Sequence, residues 1–259
     1  MIRTAFVLLV AIPATVVCAS TVIIAGLLGV PDREGGVYDT MQRVWARLLV
    51  WAAGVRVTLH GAEHARAGRQ ILVGNHVSWY DVLAVAAVVP RARFVAKQEV
   101  RRIPLVGPAA AAAGHVYIAR ENRKAAFEQY KEVAARIHAG ARVIVFAEGT
   151  RGTTYALRPF KKGPFVLAVS AGAPIVPMLV HGAAEVMPRG SFRIRSGRVD
   201  IHFLPPIATE GLTYEDRDRL AVQTRDAIAG LLEREYGIVS PPWDPRASRP
   251  APSGRSAGD

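Results

Sequence analysis

Apolar positions change their spacing three times along this chain, and each change predicts a different kind of element. From Thr4 to Pro31 no residue is charged, and Val, Leu, Ile and Ala dominate. About 20 such residues cross a bilayer core as a helix, so residues 1–31 read as a membrane anchor or an interfacial helix. A cleaved signal peptide is the competing reading, with Arg3 as its basic region and Val17-Cys18-Ala19 as a small-residue cleavage site. The apolar run continues past that site through Val22-Ile23-Ile24 to Leu27-Leu28, which favours retention. Pro13 works against a straight helix, so the segment can span once, bend back or lie shallowly at the interface.

After the break at residues 32–36 the spacing becomes helical, with Val37, Met41, Val44, Leu48 and Trp51 on one stripe and Arg43 and Arg47 between them. Residues 32–54 therefore predict an amphipathic helix. It either lies at the headgroup level or packs on the domain core, and with the first segment it can form a two-helix membrane-docking unit.

From Val55 onward short apolar runs alternate with longer periodic stretches. Strands are predicted at Val55–Leu59, Ile71–Val73, Arg93–Ala96, His115–Ala119, Arg142–Phe146, Pro174–Val180 and Val199–Leu204. Helices are predicted at Ser78–Val89, Asn122–Ala139, Pro164–Gly172 and Tyr214–Tyr236. Such alternation argues for one α/β domain over 55–239, a sheet with helices on its faces. The segment 240–259 is rich in Pro, Ser, Ala and Arg and is expected to be a disordered tail.

Composition narrows the class. At 259 residues the chain suits one α/β unit with appendages. Lys and Arg number 33 against 21 Asp and Glu, a formal charge of +12 that favours anionic partners. Half of the residues are hydrophobic (51%) and mean hydropathy is positive, which points to membrane lipids rather than nucleic acid. The single cysteine, Cys18, allows no disulfide framework and no cysteine-based metal site within one chain. No metal and no resident cofactor is expected.

Candidate chemistry lies at three predicted strand ends, where ligands bind in open α/β sheets. In Ile71-Leu72-Val73-Gly74-Asn75-His76-Val77-Ser78-Trp79-Tyr80-Asp81, His76 falls in the turn and Asp81 about one helical turn later. The carboxylate can fold back on the imidazole, fix its tautomer and stabilise its protonated form, as a general base requires. The same residues also read as a capping box, with Asp81 serving the helix start and His76 an ordinary turn residue. In Phe146-Ala147-Glu148-Gly149-Thr150-Arg151, glycine permits close backbone approach and Arg151 offers a planar fork for phosphate. Gly114 to Arg120 brings another arginine to a strand end, and Phe160-Lys161-Lys162-Gly163 adds cations before a helix.

With these blocks in view, the chain resembles the glycerophosphate and lysophospholipid acyltransferase family over most of its length. Asn75-His76 through Asp81 matches the family's His, four residues, Asp signature. Gly114 to Arg120 is similar to the second block, with Tyr117 where phenylalanine is common. Phe146 to Arg151 is similar to the third, with Ala147 in place of the usual proline, and Ile175-Val176-Pro177-Met178 to the fourth. Lys97 to Gly107 resembles the stretch between the first two blocks.

The resemblance implies a single acyltransferase domain with a mixed sheet flanked by helices, preceded by a membrane-associated helical segment. It implies His76 as base and Asp81 as its orienting carboxylate, with Arg120 and Arg151 on the acceptor's phosphate. Glu148, Gly149 and Thr150 would shape the loop, and Lys97 would lie near the oxyanion or the donor's phosphates. The expected reaction is direct transfer from acyl-CoA or acyl carrier protein to the sn-2 hydroxyl of 1-acylglycerol 3-phosphate, giving phosphatidic acid. Acylation of a lyso-ornithine lipid or of glycerol 3-phosphate, and a non-enzymatic basic membrane-binding protein, are the rival expectations. Thioester donors are cytosolic, so the domain is expected on the cytoplasmic side of the cell inner membrane.

Overall fold

Seven short apolar segments pair into one sheet: β1 (Val55–His60), β2 (Ile71–Gly74), β3 (Ala92–Lys97), β4 (Val116–Ile118), β5 (Arg142–Phe146), β6 (Ile175–His181) and β7 (Gly197–Phe203). The spatial order is β1-β7-β6-β2-β5-β3-β4. Neighbours are parallel except β6 and β7, which run antiparallel, so the sheet is mixed as expected. The computed structural model describes residues 1–65, 68–118, 129 and 133–245.

Central parallel strands are covered on both faces, which explains why β2 is apolar throughout and fully buried. Leu72 joins one core with Ala46, Val50, Val85 and Met178, under α2 (Val37–Ala52) and α3 (Trp79–Val88). Its neighbours Ile71 and Val73 join the opposite core with Phe165, Leu167, Leu220 and Ile228, under α5 (Gly163–Ala171) and α7 (Arg217–Tyr236). Two short helices, α4 (Val106–Ala112) and α6 (Ala183–Val186), complete the labelled set after α1 (Ile2–Leu27). Helix α4 escaped the sequence reading because its Ala-rich run presents no contrast between faces. Of the helix predicted over Asn122–Ala139, residues 129 and 133–138 are helical, and the remainder lies outside the described residues.

From β2 the chain moves one way to β3 and β4, returns through β5 and leaves the other way through β6. The order therefore reverses between β2 and β5, and a crevice beyond the carboxyl ends of adjacent strands follows from that switch. Gly74 sits at this point because the chain packs there without room for a side chain. A Cβ on it would come within 2.9 Å of the Met178 carbonyl oxygen on β6.

Helix α1 runs unbroken through Pro13, which removes the bend-back alternative. One missing N–H leaves the surrounding turns bonded, and 26 residues at about 1.5 Å each give roughly 39 Å. Val7, Ala14, Cys18, Val22 and Ala25 are buried, while Leu9, Ile12, Val17 and Ile24 are exposed. Both ends are tied to the globular body. The Arg3 guanidinium donates to the Ala53 carbonyl at 3.0 Å, and a Cβ on Gly26 would lie 3.1 Å from Ala112 in α4.

Helix α2 divides its apolar residues between two faces. Leu49, Val50 and Ala46 face the core; of the stripe read from spacing, Val37 and Met41 pack against a small cluster with α1, whereas Val44, Leu48 and Trp51 lie exposed. Its arginines serve the protein: Arg47 donates to the Ala87 carbonyl at 3.0 Å, and Arg43 lies 3.8 Å from Asp39. The α1–α2 connection is anchored by Asp32, whose carboxylate accepts from the buried Arg93 at 2.8 Å. At the other end of the chain, part of the expected tail is packed. Ser240 accepts from Leu157 N at 3.0 Å, Pro241 accepts from the buried Arg225 at 2.7 Å, and Trp243 packs near Phe160. Trp243 carries enough apolar surface to dock, so the body extends beyond the boundary that composition suggested.

Candidate active site

His76 begins two residues beyond Gly74, and Gly74 is paired with Phe146 across β2 and β5. The turn is held by Asn75, whose buried amide exchanges two bonds with Val180 of β6, at 3.0 Å and 2.8 Å. His76 Nδ1 lies 2.8 Å from Asp81 Oδ2. That same oxygen accepts the backbone N–H groups of Val77 and Ser78 at 2.7 Å and 2.8 Å. An oxygen already accepting two donors requires the ring nitrogen to donate as well, which leaves Nε2 as the lone-pair nitrogen. Asp81 is fully buried and the ring stacks on Phe146 with 4.4 Å between centroids.

The two readings of this stretch prove to be one arrangement. Ser78 caps α3 by accepting from Tyr80 N, and Asp81 closes the capping box while it grips the imidazole. Helix initiation and imidazole orientation are thus met by a single carboxylate.

The ring lines a cavity of about 590 Å³ between the sheet end and the four helices α1, α2, α3 and α4. Polar lining includes Lys97, Thr150 and Arg151 as well as Gln42, Glu99 and His115, and apolar lining includes Cys18, Val22, Met41, Trp45 and Leu83. Its size falls in the range of ligand sites, about 300–1,000 Å³.

A stretch of 126 residues, 56–181, matches the family model described as Acyltransferase. The chain is 35% identical over 180 residues to a 1-acyl-sn-glycerol-3-phosphate acyltransferase of Cocos nucifera, covering 69% of this chain and 57% of that one. It is 36% identical to that of Limnanthes douglasii, over 71% and 66% of the two chains. It is 36% identical to the human 1-acyl-sn-glycerol-3-phosphate acyltransferase alpha, over 68% and 63%. The chain belongs to the glycerophosphate and lysophospholipid acyltransferase family. It spans under two thirds of the length of these curated relatives. Its fold is that of the 1-acyl-sn-glycerophosphate (LPA) acyltransferase PlsC from Thermotoga maritima. The TM-score is 0.76 at 23% identity, covering 93% of this chain and 97% of that one.

Within this acyltransferase fold the third block has two functions. Glu148 is buried, and its carboxylate accepts from His76 N at 3.1 Å and from Arg158 Nε at 2.7 Å. Burial pushes its pKa up from the ordinary value, opposed by those two donors. Glu148 therefore braces the turn from within. Gly149, at φ 78°, adopts a left-handed conformation that lets Thr150 and Arg151 turn onto the cavity wall. The Arg151 guanidinium lies 5.0 Å from the Trp79 ring centre. Lys97, at the end of β3, lines the same cavity, whereas Arg120 lies outside the described residues.

Sequence reasoning missed Arg158, which also donates to the Thr150 carbonyl, and Tyr155, whose hydroxyl donates to Glu185 at 2.6 Å. Both sit in an aperiodic loop, where nothing in the spacing marks a partner. The second block's His115 is structural. It accepts from Phe94 N at 2.9 Å and donates to Gln42 at 2.8 Å, and burial with Arg93 and Arg136 nearby pushes its pKa down to about 3.

Proposed function

We propose that the protein transfers a fatty acyl group from an acyl thioester, acyl-CoA or acyl carrier protein, to the sn-2 hydroxyl of 1-acylglycerol 3-phosphate. The observation that carries this reading is the His76–Asp81 pair on the wall of an apolar cavity that also presents Arg151. His76 Nε2 takes the hydroxyl proton, and the oxygen attacks the thioester carbonyl. The tetrahedral intermediate expels the thiolate, which recovers the proton from the imidazolium that Asp81 stabilises. The ester forms as the thioester breaks, and no oxidant or cofactor is consumed.

Arg151 is assigned to the acceptor's phosphate, and Arg120 is assigned with it on the motif alone. Lys97 is assigned to the developing oxyanion or to the donor's phosphates. The apolar lining suits an acyl chain. The names of the relatives support the acceptor, and membrane residence suits it too, because moving a lipid chain into water costs about 0.8 kcal/mol per CH₂.

Helix α1 is read as lying in the interface beside the domain. Its ends are both tied to the body, and its free face is apolar. The domain is placed on the cytoplasmic side of the cell inner membrane, where thioester donors are made.

Purified protein supplied with radiolabelled acyl-CoA or acyl carrier protein and a panel of acceptors tests the reading. Phosphatidic acid from lysophosphatidic acid is the expected product. Exclusive labelling of lyso-ornithine lipid or glycerol 3-phosphate would replace the acceptor, and no transfer to any lipid would remove the enzyme. A folded His76→Ala variant should lose turnover by about 10²- to 10⁴-fold.

A further inference from the structure

Phe192 is 87% exposed at the tip of the connection between α6 and β7. One exposed aromatic residue is ordinary, so the argument rests on what surrounds it. From Val186 to Val199 the chain carries Arg189, Arg193, Arg195 and Arg198 and no acidic residue. Arg198 is paired with Asp200, while Arg193 and Arg195 are exposed. The connection is a built turn: Ser191 N donates to the Pro188 carbonyl at 3.1 Å, and Arg195 N closes the base on the Val186 carbonyl at 2.9 Å.

Three further bonds join this turn to the elements already assigned to lipid work. Ile194 N donates to Thr4 Oγ1 in the first turn of α1 at 3.0 Å. Ser78 Oγ, beside the His76 turn, donates to the Met187 carbonyl at 2.8 Å. Arg189 donates to the Arg151 carbonyl on the cavity wall at 2.7 Å. The tip therefore stands between the start of α1, where Ile2 and Leu9 are exposed, and the wall that carries Arg151.

We propose that the Phe192 turn is a second membrane-contact element, with its ring in the interface of an anionic bilayer and Arg193 and Arg195 against lipid phosphates. The proposal rests on the membrane-bound acyltransferase reading and extends it. Exposed Arg193 and Arg195, with no acidic partner among the described residues, next to an exposed apolar face of α1, fit an anionic lipid surface. Through Met187 and Arg189 the turn then sets the height of the cavity wall relative to the lipid phosphates.

The test uses the full chain carrying Phe192→Cys labelled with an environment-sensitive fluorophore, with Leu9→Cys as a reference on α1. Cys18 is buried, and unsubstituted protein controls for its labelling. On vesicles of phosphatidylglycerol and phosphatidylcholine, both probes should shift to the blue and be quenched by headgroup-proximal nitroxide lipid. Arg193→Gln and Arg195→Gln should each weaken the response at position 192 by about fivefold, and salt should weaken it further.

A probe at position 192 that stays in water while the one at position 9 is quenched overturns the proposal and leaves α1 docked. An equal response on pure phosphatidylcholine overturns the anionic assignment. A response to acyl carrier protein without vesicles overturns it in favour of a protein surface. Transfer to a short-chain, water-soluble lysophosphatidic acid is measured alongside. Phe192→Cys should leave it unchanged, and its absence in unsubstituted protein would count against the enzyme rather than the turn.

Discussion

The carboxylate of Glu148 accepts the backbone N–H of His76 at 3.1 Å, joining two turns 72 residues apart in the chain. The register of the central strands makes this contact. Gly74 and Phe146 are paired, and His76 and Glu148 each lie two positions further on. Arg158 holds the other carboxylate oxygen, so His76, its brace and the loop that leads to Arg151 form one connected unit.

Burial raises the Glu148 pKa above its ordinary value of 4.5, so the folded state binds this proton more tightly than the unfolded chain does. The stability it contributes is present below pH 4.5 and is lost as pH rises through the raised value. Denaturant unfolding of Glu148→Gln and wild type from pH 4 to 7 should therefore show the difference moving in the variant's favour as pH rises. A difference that stays flat across that window would show that the carboxylate carries no such burial penalty.

Asp81→Asn keeps an oxygen for the N–H groups of Val77 and Ser78 but cannot stabilise an imidazolium. Turnover should fall about 10³- to 10⁴-fold with the fold intact. Asp81→Ala also loses the carboxylate half of the α3 capping box and should unfold about 1–2 kcal/mol more easily than the Asn variant. Wild-type turnover in the Asn variant would dissociate Asp81 from the base.

Arg151→Gln should raise the KM for lysophosphatidic acid by about tenfold to a hundredfold, as expected for a lost hydrogen bond to a charged group. Steady-state kinetics with each substrate varied in turn should leave the donor's KM close to wild type. An unchanged acceptor KM would move the phosphate elsewhere.

Asp32→Ala leaves the buried Arg93 guanidinium without its 2.8 Å partner, at a site where burial already pushes the arginine's pKa down. Stability in detergent should drop by about 1–3 kcal/mol, and the α1–α2 pair should become more accessible to protease. Unchanged stability and cleavage would mean that the connection is held by packing alone.

Much of this molecule was legible as a string. The central strands β2, β5 and β6 announced themselves as short apolar runs, because a parallel sheet covered on both faces demands near-continuous Val, Ile and Leu. His76 with Asp81 was visible because the partners lie five residues apart, within reach of one turn. The brace from Glu148 to His76 and Arg158 had no local signature, since its partners meet only when β2 and β5 pair in register.

Periodicity left the orientation of α2 open. It located an apolar stripe at Val37, Met41, Val44, Leu48 and Trp51, but a helix with apolar residues on two faces does not say which face the core will take. The partners of Arg43 and Arg47, Asp39 and the Ala87 carbonyl near the end of α3, were likewise decided by the tertiary structure. The sequence by itself determined local chemistry: which segments become helix or strand, which charge is in excess, and which imidazole has a carboxylate within reach. The tertiary structure decided every relation that depends on strands choosing neighbours, because side chains distant along the chain acquire mutual distances only once the sheet order and register exist.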